Sequence, residues 1–288
     1  MSDLTILVPL DGSKQAELAL SFLMALKPLG GLRVRLLTVA ESDSGVPPEE
    51  ESRRESMARE YLDGATERTK ANFGVPVECV YRTGKAYEEI LEEARREEVN
   101  LLIMTTHGRS ITDPERLGSV VDKVVRGASC PTLLIGPRAS VPLQVERITV
   151  PLDGSALAAE ALPVARSLAE RLGGRIRLVR AVNVQPADPD VLGSFAADLL
   201  ESTELTASLY LSEARLELET SVAVETALLS GPPAEALLTD VKENRPDLLI
   251  MTSHGHTGFI RWALGSVTDR MVRGPVPVLV LRPQDESG

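Results

Sequence analysis

Two short motifs, each present twice, carry the residue types that could do chemistry. Pro9-Leu-Asp11-Gly-Ser13 and Pro151-Leu-Asp153-Gly-Ser155 place a carboxylate and a hydroxyl just after a β-branched run. An Asp at a strand end can accept hydrogen bonds from a ribose or a base, and Asp-Gly-Ser is equally a tight turn leading into a capped helix. The second motif is His107-Gly108, nine residues, then Gly118-Ser119, repeated as His254-Gly255, nine residues, then Gly265-Ser266. A Gly-Ser pair that opens a helix offers unpaired first-turn N–H groups to phosphate oxygens, and glycine lets the main chain approach closely. The competing reading is structural. Ser119 with Asp122, and Ser266 with Asp269, have the spacing of a capping box, which would satisfy those donors internally.

Groups for catalysis are sparse. There is no Gly-Lys-Ser/Thr to supply a P-loop lysine and no Gly-x-Ser-x-Gly nucleophile motif. The histidines are His107, His254 and His256. The last two, one residue apart without an acid or Cys partner at useful spacing, do not make a metal site. His107 and His254 read as loop residues whose rings bond a backbone carbonyl. No catalytic residue and no metal are expected.

The elements that must position these motifs come as a duplicated set. Residues 6–13 return at 148–155 with seven of eight identical, an offset of 142, whereas 101–108 return at 248–255 with an offset of 147. Five residues are therefore gained in the polar middle of the second copy. A repeat of this length is a whole domain. Strands are predicted at 4–10, 33–40, 76–82, 100–106 and 131–136, then at 146–152, 175–182, 221–228, 247–253 and 276–282. Helical periodicity covers 13–28, 50–73, 85–97 and 117–127, then 155–172, 194–218, 232–244 and 264–273. Ser13 and Ser155 suit N-caps, and Gly127 and Gly274 suit C′ positions. Alternation of short strands with helices gives an α/β fold: two tandem doubly wound domains, each a five-stranded parallel sheet of order 3-2-1-4-5 with helices on both faces. The domains span 1–137 and 146–284, with 138–145 as linker. Ligands in such sheets sit at the carboxyl ends of the strands where the winding reverses, which is where both motifs fall.

Composition narrows the partners. The 288 residues carry a net charge of −11, which disfavours nucleic acid and anionic membrane surfaces. Cys79 and Cys130 stand alone in apolar settings and read as reduced packing thiols. No long apolar run and no basic leader is present, so a cytosolic protein is expected.

The repeated motifs resemble those of the universal stress protein family in its tandem two-domain form, over Leu4 to Arg282. Its nucleotide-binding members carry Gly-x2-Gly-x9-Gly-Ser/Thr. Here the second Gly, the nine-residue spacer and the Gly-Ser pair agree in both copies, while Thr105 and Thr252 stand at the first Gly. A threonine there either crowds a nucleotide or donates its hydroxyl to it. The resemblance implies ATP, with Mg²⁺, as the ligand of a stress-response module that acts by binding, with at most weak ATPase activity. It implies Pro9, Asp11 and Val39 at the adenine and ribose end and Gly108, Arg109, Gly118 and Ser119 at the phosphates. The second-copy counterparts are Pro151, Asp153, Ala181, Gly255, His256, Gly265 and Ser266. Asp113 and Glu115 in the first spacer oppose phosphates. The acid-free second spacer therefore favours the second copy, whereas Arg109 favours the first. The resemblance also implies that strands 131–136 and 276–281 pair antiparallel to make an intramolecular pseudo-dimer, with a further homodimer open. The alternative function is an interaction protein of the same fold with structural Gly-Ser loops.

Overall fold

The computed structural model describes residues 4–41, 47–96, 98–108, 116–183, 193–218, 221–253 and 264–282. In the first half the strands are β1 (Leu4–Pro9), β2 (Leu32–Ala40), β3 (Val77–Thr83), β4 (Val99–Thr105) and β5 (Thr132–Ile135). The helices are α1 (Lys14–Ser21), α2 (Leu23–Leu26), α3 (Pro48–Phe73), α4 (Ala86–Ala94) and α5 (Ser119–Gly127). The second half repeats them as β6 (Arg147–Pro151), β7 (Arg175–Val182), β8 (Val224–Ser230), β9 (Leu248–Thr252) and β10 (Val278–Leu281). Its helices are α6 (Ala156–Ala159), α7 (Ala161–Leu172), α8 (Gly193–Leu218), α9 (Pro233–Asn244) and α10 (Ser266–Met271).

The halves share one ten-stranded sheet of order β3-β2-β1-β4-β5-β10-β9-β6-β7-β8. Each half is parallel with order 3-2-1-4-5, and the seam is the antiparallel pair β5–β10, with Val278 opposite Leu134 and Leu279 opposite Leu133. The pseudo-dimer is thus built by main-chain hydrogen bonds. Central strands covered on both faces must be apolar throughout, and Ile6, Leu7 and Val8 of β1 are all fully buried. Alternation along the strands divides the interior into two cores. One lies under α1, α3, α7 and α8 and contains Ile6, Leu36, Leu62, Ile148 and Leu211. The other lies under α4, α5, α9 and α10 and contains Leu7, Leu37, Ile90, Val124 and Leu249. Among the described residues no helix is long and apolar enough to cross a membrane.

Several local expectations are refined. The segment expected as one helix over 155–172 breaks at Glu160, because Pro163 has no N–H to donate to Ala159 one turn back. The five extra residues are divided. Helices α3 and α8 are each 26 residues long, with three of the extra residues before α8 and two after it. Left-handed C-caps fall at Gly74 and Gly173, with φ of 64° and 73°, rather than at Gly127 and Gly274. Gly127 is instead the last residue of α5, facing the terminal methyls of Leu91 on α4. Cys130 is buried, but Cys79 is exposed on β3 and is not a packing thiol.

A duplicated ion-pair cluster fastens α4 and α9 to the sheet. Glu93, 2% exposed, meets Arg35 at 3.1 Å, Arg82 at 3.3 Å and Arg96 at 3.1 Å. Asp240, 4% exposed, receives Arg177 at 2.8 Å and Asn244 Nδ2 at 2.9 Å. Arg35 and Arg177 also reach Glu78 and Glu225 on the neighbouring edge strands. Burying a carboxylate costs several kcal/mol unless it is paired and hydrogen-bonded, and both halves meet that demand alike.

Candidate functional site

In the order 3-2-1-4-5 the winding reverses between β1 and β4, and the carboxyl ends of those two strands are where sheets of this kind form a ligand crevice. Pro9 closes β1, and the chain then turns through Gly12, whose φ of 82° only glycine adopts without strain. That turn aims Asp11 at the crevice and fixes it. Asp11 Oδ1 accepts from the Ser13 N–H at 2.9 Å and the Ser13 hydroxyl at 2.6 Å. Ser13 Oγ in turn caps α1 by accepting from the Ala16 N–H at 3.1 Å. The second half repeats the set at the same three distances with Asp153, Ser155 and Ala158. The turn reading of Asp-Gly-Ser holds in both halves, and in the first the Asp11 carboxylate also lies against Gly108. A Cβ on Gly108 would stand 2.3 Å from Asp11 Oδ2.

Beyond β4, Thr105 is 6% exposed and donates its hydroxyl to the His107 carbonyl at 2.8 Å. Thr252 is buried too, and its carbonyl accepts from the Thr268 hydroxyl. The Thr105 hydroxyl is thus turned back onto its own loop. His107 is buried, with Nδ1 2.9 Å from the Thr106 hydroxyl.

Gly118 and Gly265 are the N-caps of α5 and α10, and neither helix receives a side-chain cap. The capping boxes do not form. Asp122 instead takes a forked hydrogen bond from Arg126, and Asp269 pairs with Arg273. The N–H of Gly118 is committed to the Thr106 carbonyl at 3.0 Å and that of Gly265 to Ser253 at 2.8 Å. The donors that face outward therefore begin at Ser119 and Ser266 rather than at the glycines. A Cβ on Gly118 would stand 3.2 Å from the Thr106 oxygen, so close main-chain passage explains the glycine.

Val39 and Ala181 lie half-buried near the ends of β2 and β7, beside the same crevice. Arg109, Gly255 and His256, with His254, lie outside the described residues. The structure thus brings Pro9, Asp11, Val39, Gly108, Gly118 and Ser119 to one end of the first half. Pro151, Asp153, Ala181, Gly265 and Ser266 gather in the second.

Sequence motifs did not point to the walls of this end. Tyr61 on α3 donates to Glu17 at 3.1 Å, and burial together with Glu17 pushes its phenol pKa well up. The phenol of Tyr210 on α8 is raised by burial first and by the charge of Asp153 second. Arg180 on β7 lies with Cζ 5.2 Å from the centre of the Tyr210 ring. A tyrosine inside a 26-residue helix and an arginine inside a strand carry no motif of their own.

The model of the universal stress protein family matches residues 4–136 and 144–282. A universal stress protein of Methanocaldococcus jannaschii is 30% identical over 146 residues, 48% of this chain and 82% of that protein. One from Mycobacterium tuberculosis is 30% identical over 192 residues, 64% of this chain, and the alignment spans 62% of its length. The crystal structure of a universal stress protein from Archaeoglobus fulgidus superposes with a TM-score of 0.74 at 22% identity, over 96% of this chain and 98% of that one. That likeness concerns the fold.

Proposed function

The chain belongs to the universal stress protein family, and from that premise we propose that it binds an adenine nucleotide, ATP with Mg²⁺, and acts through occupancy rather than turnover. The observation that carries this reading is the uncapped start of α5, with Gly118 and Ser119, facing the same crevice as an Asp11 carboxylate already oriented by Ser13. The residues suit such a ligand. First-turn N–H groups and the positive end of the helix dipole favour phosphate oxygens. The carboxylate can accept hydrogen bonds from ribose hydroxyls, and Gly108 and Gly118 leave room where a Cβ would intrude. Binding to one conformation of the loops would stabilise it by mass action and present a changed surface to a partner. The free Cys79 and Cys130 suit a reducing compartment, in keeping with a cytosolic protein.

The test is the nucleotide content of the protein as purified, released by heat and resolved by ion exchange, followed by calorimetric titration of Mg-ATP. Co-purified or tightly titrated adenine nucleotide supports the reading. Absence of both leaves the interaction-protein reading, in which the Gly-Ser loops serve the fold.

A further inference from the structure

The halves match at the Asp-Gly-Ser turn but differ one strand over. The registers are equivalent: Thr5 lies beside Arg33 on β1–β2 as Arg147 lies beside Arg175 on β6–β7. Counting five residues onward on each outer strand puts Thr38 and Arg180 in the same place. In the first half Thr38 is 5% exposed, and its buried hydroxyl has no hydrogen-bond partner. Gln15 at the start of α1 likewise has a buried Nε2 without one. Both atoms are enclosed by protein, as is the equally unpartnered Tyr210 hydroxyl of the second half, so the difference that bears on a ligand is the side chain at the Thr38 and Arg180 position.

The second half fills that corner itself. The Arg180 guanidinium lies against Gly154, the φ +89° residue next to Asp153. A Cβ there would stand 2.9 Å from both terminal nitrogens and 3.0 Å from Cζ. The same guanidinium faces the Tyr210 ring within cation–π range. Leu157 replaces Gln15, which removes the second polar group.

We propose that the two halves are unequal sites: Arg180 closes the second half at its Asp153 end, so the chain takes a single nucleotide, in the first half, where the smaller Thr38 stands in place of the guanidinium. This rests on the nucleotide reading above. A base or ribose entering the second half must displace the guanidinium from Gly154 and from the Tyr210 ring, and must compete with it for the field of Asp153. The acid-free spacer that favours the second half in the sequence acts at the phosphate end and does not reopen this one.

The experiment is calorimetric titration of Mg-ATP into the full chain and two variants, with far-UV circular dichroism as the check on folding. Expected are about one equivalent for the unaltered chain, about two for Arg180→Thr, and affinity lower by at least about tenfold for Thr38→Arg. Arg180→Ala replaces Arg180→Thr if the latter does not fold. Two equivalents on the unaltered chain overturn the proposal while the nucleotide reading stands. So does a single equivalent that Arg180→Thr and Arg180→Ala leave unchanged. No heat with any chain overturns the nucleotide reading and this proposal together.

Discussion

Asp11 occupies the space that a side chain on residue 108 would need, with Oδ2 2.3 Å from where that Cβ would be. The two positions are 97 residues apart in sequence and belong to different motifs. Gly108→Ala forces the carboxylate to swing and break its bonds to Ser13. Overpacking of this kind costs about 1–3 kcal/mol, and Mg-ATP affinity should fall by about tenfold or more. Urea denaturation and calorimetry on the same sample check both, and unchanged affinity would remove Asp11 from the ligand set.

Ser13 and Ser155 each cap a helix while orienting a carboxylate. Ser13→Ala and Ser155→Ala should each lower stability by about 0.5–2 kcal/mol, the usual range for a lost N-cap. Only Ser13→Ala should also weaken nucleotide binding if the halves are unequal. Equal weakening by both would contradict that inequality.

The buried acids under α4 and α9 should dominate an alanine scan of charged residues. Glu93→Ala removes the acid shared by Arg35, Arg82 and Arg96 and leaves Arg35, itself 12% exposed, with Glu78 alone, and Asp240→Ala leaves Arg177 with Glu225 alone. Breaking a buried pair from one side costs about 3–5 kcal/mol. The exposed pair Arg54–Glu50 should give less than about 1 kcal/mol on Arg54→Ala. Chemical denaturation of the three variants tests the ranking.

The thiols should separate by reactivity. Burial pushes the Cys130 thiol up to about 11, while Cys79 is exposed. A disulfide reagent near pH 8 should titrate one thiol in the folded chain and two after denaturation. An ordinary thiol ionises near about 8.5. As pH rises, the unfolded chain therefore loses that proton before the folded one, and stability falls as pH climbs from that value toward 11. The raised phenols of Tyr61 and Tyr210 act in the same direction at more alkaline pH. Stability that rises with pH across this window would contradict the burial of these groups.

The shared sheet should make the halves unfold together. Leu133, Leu134, Val278 and Leu279 at the seam are all buried, and they join cores that run through both halves. Calorimetry should show a single transition with the calorimetric enthalpy equal to the van't Hoff value. Two resolved transitions would mean that the seam is weak.

The fold was largely legible because duplication let each motif be read twice, and because parallel strands buried on both faces announce themselves as runs such as Ile6-Leu-Val8. The single sheet was reachable through the resemblance, since strand edges call for a partner. Local chemistry was harder to read. Spacing suggested capping boxes at Ser119–Asp122 and Ser266–Asp269, but Arg126 and Arg273 one turn on offered the acids a stronger, charged partner. The Thr105 hydroxyl could not be oriented from sequence, because its acceptor is a carbonyl two residues on whose direction depends on the loop. Glu93 and Asp240 looked like ordinary members of acidic helices. Only the packing of α4 and α9 on the sheet reveals that they are buried.

The antiparallel seam reverses the direction of one half relative to the other, so the carboxyl ends of β1 and β4 and those of β6 and β9 emerge on opposite rims of one plank. A ligand on one rim cannot touch the other, and a protein reading one rim is blind to its counterpart. Two identical subunits joined at such a seam would be bound by symmetry to carry identical rims. A single chain encoding both is released from that rule, and the difference between Thr38 and Arg180 is a divergence that two copies of one chain could not hold.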